Sequence, residues 1–125
     1  MEYEKQVSYW QEGAPRALRS VPHLEDGEFW AEALFWTHLA VEKALKAHVV
    51  KVTQHTPPYI HNLMRLAEIA ALNLSPDQVR LCDDLSRYQR LARYPYQSRQ
   101  EPDSDTARRL LRDGKELVEW LLRRL

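Results

Sequence analysis

The stretch Glu28–Val52, EFWAEALFWTHLAVEKALKAHVVKV, decides how the rest of the chain is read. Trp30, Ala33, Leu34, Thr37, Ala40, Val41, Ala44, Leu45 and Val49 recur at helical spacing and trace one broad apolar face. Phe35 and Leu39 add apolar area on a second side, so this helix is expected to be surrounded by neighbours. At 1.5 Å per residue it would run roughly 40 Å, the long axis of the domain.

Working outward toward the N-terminus, Tyr3, Val7, Trp10, Ala14, Ala17, Val21 and Leu24 form a second helical stripe. Pro15 removes an intrahelical hydrogen bond and predicts a kink or break near Gly13–Pro15. Pro22 then marks the end of that helix, and Asp26–Gly27 turns the chain into the next. On the other side, the Pro57–Pro58 pair forces an extended linker, and a shorter helix is expected from His61 to about Leu72. Ser75-Pro76-Asp77-Gln78 is a helix start: serine caps, proline takes the first helical position, and glutamine completes a capping box. That helix carries Val79, Cys82, Leu85, Tyr88 and Ala92 inward and stops before Pro95. A loop over 95–103 leads to a last helix capped by Asp103 or Ser104, with Ala107, Leu110, Leu111, Gly114, Leu117, Val118, Leu121 and Leu122 as its stripe. No stretch alternates with period two. The expectation is one all-α domain over residues 1–125, an up-and-down bundle of about five helices around a long second helix.

Composition narrows the function. The chain has 125 residues, 44% of them hydrophobic, which suffices for one core. Eighteen basic and eighteen acidic residues cancel, so no strong field draws in DNA or anionic lipid. The three glycines, Gly13, Gly27 and Gly114, allow no GxGxxG or Walker-type phosphate loop to be written, and no cofactor is expected. A single cysteine, Cys82, excludes an internal disulfide or a zinc ribbon, and on its apolar helix face it reads as a core residue. The charged N-terminus MEYEKQVSYW has no signal-peptide core and no apolar run is long enough to span a bilayer, so a cytoplasmic location is expected.

Metal ligation needs histidines paired with carboxylates at helical spacing. His23, His38, His48, His55 and His61 follow Ser20, Phe35, Leu45, Val52 and Pro58 by three residues, none of them a ligand pair. His38 and Glu42 are four apart, but no partner pair occurs on another helix. No metal site is expected.

Two polar features remain. Glu42, Lys43 and Lys46 sit inside the most apolar helix, where a Glu42–Lys46 pair on a solvated face would add a few tenths of a kcal/mol. The width of the apolar face leaves little room for solvent, so these charges are expected to line a groove or a subunit contact. The second feature is Arg90-Leu91-Ala92-Arg93-Tyr94-Pro95-Tyr96, followed by Arg99. Arginines interleaved with tyrosines can hold a phosphate and stack on a base, although cations in a last helical turn also favour the helix dipole.

These features occur in a recognisable order. Phe35-Trp36-Thr37-His38-Leu39-Ala40-Val41-Glu42-Lys43-Ala44-Leu45-Lys46-Ala47 resembles the second-helix signature of HEPN domains, the higher eukaryotes and prokaryotes nucleotide-binding family. His61-Asn62-Leu63 resembles that family's His-Asp-Leu, with Asn62 in place of aspartate, and Arg93-Tyr94-Pro95 resembles its Arg-Tyr-Pro. The resemblance implies a helical bundle that forms homodimers or higher homo-oligomers. It implies one of two roles. Many small members resemble partners of a separately encoded minimal nucleotidyltransferase in toxin–antitoxin-like pairs, with a nucleotide-binding role. Others are metal-independent ribonucleases that use an arginine and a nearby histidine at the end of the fourth helix. Here no histidine follows Arg93, and the last one in the chain is His61. A non-catalytic nucleotide-binding or interaction surface is therefore expected from Glu42, Lys43, Lys46, His61, Arg90, Arg93 and Tyr94. A ribonuclease with a displaced base and a purely structural dimerising bundle are the alternatives.

Overall fold

The computed structural model describes the backbone of residues 2–93 and 102–125, and the side chains of 2–90 and 102–125. Within them the chain forms α1 (Glu2–Leu18), α2 (Val21–Asp26), α3 (Trp30–Thr53), α4 (Leu63–Ile69), α5 (Pro76–Arg93) and α6 (Ser104–Arg123), with no strand. The all-α expectation holds, and α3 is the central helix, packing against each of the other five. Lys46 lies over Trp10 and Lys43 against Gly13, so α1 runs antiparallel to α3. Thr37 meets Gly114 and His48 meets Leu121, so α6 runs parallel to it.

The N-terminal region departs from the sequence reading. Helix α1 continues through Pro15 to Leu18. Pro15 and Gln11 are both exposed, so water can take up the Gln11 carbonyl that proline leaves without a donor. The break falls at Arg19–Ser20 instead, and Pro22 begins α2, a short helix, rather than ending α1. Proline in the first turn lacks only an N–H that would have had no helical partner. Helix α4 is also shorter than expected. The Asn62 side chain accepts the Arg65 N–H at 3.0 Å, which leaves His61 outside the helix. At the other end Ala71 adopts a left-handed φ of 55°.

Other caps follow the sequence. The Ser75 hydroxyl accepts from the Gln78 N–H at 3.1 Å, and the Gln78 side chain accepts from the Ser75 N–H at 2.9 Å. Asp103 rather than Ser104 caps α6, accepting from the Thr106 N–H at 2.7 Å. Backbone hydrogen bonding to Thr106 pulls the Asp103 carboxyl below its ordinary range. Leu34, Leu45, Leu63, Leu66, Leu85, Leu110 and Leu121 form the centre of the core. Gly114 sets how closely α6 approaches α3, because any Cβ there would collide with the Thr37 methyl group. Cys82 is fully buried among these residues, and desolvation pushes its thiol up to about 12. Such a thiol is protonated at neutral pH and inert as a nucleophile. No helix among the described residues is long and apolar enough to cross a membrane.

Candidate functional site

The most apolar helix of the chain carries a carboxylate at its middle. Glu42 is 4% exposed, and one turn to either side α3 supplies His38 and Lys46. Lys46 Nζ donates to Glu42 Oε2 at 3.1 Å and lies 5.2 Å from the centre of the Trp10 ring on α1. The ammonium thus has a carboxylate on one side and an aromatic face on the other, which offsets part of the cost of burying it. His38 Nδ1 is 3.9 Å from Glu42 Oε1, an ion-pair distance and too long for a hydrogen bond.

The third group near Glu42 arrives from a different element. His61 Nδ1 is 3.1 Å from both Glu42 oxygens. An ionised carboxylate only accepts, so Nδ1 carries the proton and donates to Glu42. This fixes the ring and turns Nε2 away from the carboxylate. The extended segment before α4 is itself anchored: Pro57 is buried, and Gln6 on α1 donates to Thr56 Oγ1 at 3.1 Å. Immediately after it, the Asn62 cap fixes where α4 begins. His61 is therefore held from three sides while its side chain stays half exposed.

That exposed side opens into a groove of about 430 Å³ between the start of α4 and the second half of α5. His61, Asn62, Asp83, Ser86, Arg90 and the buried Gln89 supply its polar lining. Arg90 and Asp83 are exposed, and neither makes an ion pair among the described residues. A guanidinium with no carboxylate partner among the described residues, lining the same groove as an oriented imidazole, is suited to an anionic oxygen ligand.

Of the seven residues expected at the site, Glu42, Lys46 and His61 converge, and Arg90 shares a groove with His61. The Glu42–Lys46 pair does not line a groove itself; it is buried beneath α1, and only its partner His61 reaches the groove. Lys43 faces elsewhere, with its aliphatic stem against Gly13 of α1. The Arg93 side chain and Tyr94 lie outside the described residues, as do Tyr96 and Arg99. Asp83 and Ser86 escaped the sequence reading. Their signal was there: Asp83, Ser86 and Arg90 fall at i, i+3 and i+7 on one face of α5.

The family model for the HEPN domain matches residues 7–125, nearly the whole chain. The chain belongs to the HEPN family. No curated protein and no solved structure gives a significant match. Within this HEPN domain the Glu-Lys-Ala-Leu-Lys-Ala block of α3 is an internal polar clasp, and the histidine before α4 is its exposed end. Among the described residues no group of three or more histidine, cysteine or acidic side chains is placed to hold a metal ion.

Proposed function

We propose that this HEPN protein is a non-catalytic nucleotide-binding module that works with a separately encoded nucleotidyltransferase, in a toxin–antitoxin-like pair. One observation carries the reading: Arg90, which makes no ion pair among the described residues, and His61, oriented by a buried carboxylate, line the same groove. In this reading Arg90 holds the phosphate and the groove walls take the nucleoside. The transfer chemistry resides in the partner. The protein acts in the cytoplasm as a homodimer or higher homo-oligomer. Calorimetric titration with ATP and with GTP tests the site: saturable binding of either that Arg90→Ala loses supports it, and absence of heat from both into the millimolar range defeats it. Co-purification with a nucleotidyltransferase encoded beside it tests the partnership.

A second reading has its own observation. A histidine whose Nδ1–H is held by a buried carboxylate presents Nε2 as a proton acceptor. In a ribonuclease, Nε2 would take the 2′-hydroxyl proton while Arg90 steadied the phosphate. This reading predicts RNA cleavage in the presence of a chelator, abolished in His61→Ala. An intact RNA after prolonged incubation rules it out.

A further inference from the structure

The groove between α4 and α5 is dipolar along α5. Arg90 stands at one end of a polar stripe, Asp83 at the other, with Ser86 and the buried Gln89 between them. At 1.5 Å per residue the two charges are roughly 10 Å apart along the helix, about the reach of a purine nucleotide from phosphate to base edge. The volume of about 430 Å³ falls within the range of small-molecule sites. Phosphate is attracted to Arg90 and repelled by Asp83, so a nucleotide entering this groove is oriented with its base toward Asp83.

An ionised carboxylate accepts hydrogen bonds and donates none. Only guanine presents two adjacent donors, N1–H and the N2 amino group, on its Watson–Crick edge. Adenine and cytosine set a ring-nitrogen acceptor beside their amino group, which meets the carboxylate with a repulsive lone pair. Uracil flanks its one N–H with two carbonyls. Asp83 is exposed and makes no ion pair among the described residues, so it is available to accept from both guanine donors. Ser86 lies between the charges, where a ribose hydroxyl would pass.

We propose that this groove selects guanine nucleotides, with Asp83 reading the base and Arg90 holding the phosphate. The proposal rests on the nucleotide-binding reading above. It is tested by calorimetric titration of the full chain with guanosine 5′-monophosphate and adenosine 5′-monophosphate, alongside Asp83→Asn and Arg90→Ala. The expected result is guanosine monophosphate binding at least about tenfold tighter than the adenosine analogue, the size of one good bidentate base contact. Asp83→Asn should remove that preference, weakening guanosine monophosphate and strengthening adenosine monophosphate, whose amino group and ring nitrogen an amide can pair with, and Arg90→Ala should weaken both ligands. Equal affinity in the unaltered protein, or a guanine preference that survives Asp83→Asn, overturns the base reading and leaves the groove standing. No binding of either nucleotide overturns both. Asp83 is on the surface, so its substitution is not expected to disturb folding, and an unchanged thermal unfolding midpoint checks this.

Discussion

Two of the polar connections between helix α3 and its neighbours behave differently. At Glu42 a buried carboxylate holds Lys46 inside and His61 at the edge, joining α1, α3 and the start of α4. Two turns further on, His48 is buried and its Nε2 lies 2.7 Å from the Leu121 carbonyl near the end of α6, while Lys51 donates to the Leu125 carbonyl at 2.6 Å. Both regions pin an element to α3 through a histidine. One histidine meets a neutral carbonyl in the interior, the other a carboxylate at the rim of a groove. A partner's charge and the ring's exposure thus separate a structural histidine from one available for chemistry, though both come from the same residue type.

The largest effect should come from removing the carboxylate. Glu42→Ala leaves the Lys46 ammonium buried without its ion-pair partner and is expected to cost about 3–5 kcal/mol, read by chemical denaturation. Replacing both charges, Glu42→Leu with Lys46→Met, should recover most of that loss. If the single and double variants are equally destabilised, the clasp matters for its shape and not for its charge.

Next in size is His48. His48→Ala deletes the hydrogen bond and leaves a small void, for an expected loss of about 2 kcal/mol. The Leu121 carbonyl keeps the Arg124 N–H at 3.1 Å, which limits the cost. A pH dependence follows from the same side chain. Burial, aided by the nearby Lys51 and Arg124 charges, holds the His48 imidazole below its ordinary value of 6.5, although the Leu121 carbonyl acts in the opposite direction. The unfolded chain then binds more protons on acidification than the folded one. The His48 contribution is fully present above pH 6.5 and declines as the pH falls below it. The denaturation midpoint of His48→Gln should therefore vary less between about pH 7.5 and pH 5 than that of the unaltered protein.

The smallest effect belongs to His61. Its side chain is half exposed, so solvent screens its contact with Glu42, and His61→Ala should change stability by about 0.5 kcal/mol or less. A loss as large as that at His48 would make it a structural histidine too and erase the contrast between the two regions.

Much of the bundle was legible because its signals are local. The apolar face of α3, the Ser75–Gln78 box and the stripe of α6 depend on residues three or four apart. The break between α1 and α2 was misread because proline has two meanings, a break inside a helix and a favoured residue in its first turn. Sequence separation limited the site in the same way. The Glu42–Lys46 pair is one helical turn long and visible as a pattern, whereas the Glu42–His61 contact spans nineteen residues and a proline-stiffened linker. That Lys46 would be roofed by Trp10 depended on how α1 packs, which no local spacing encodes.

Cys82 gives the molecule a built-in stopwatch. It is the chain's only thiol, fully enclosed, and it sits on α5 next to Asp83. An alkylating reagent can reach it only when that helix opens, so the labelling rate reports how often α5 leaves the bundle. A ligand that spans Asp83 to Arg90 would hold two turns of the same helix and slow the label. Occupancy of the groove can therefore be read by mass spectrometry from a residue that never touches the ligand.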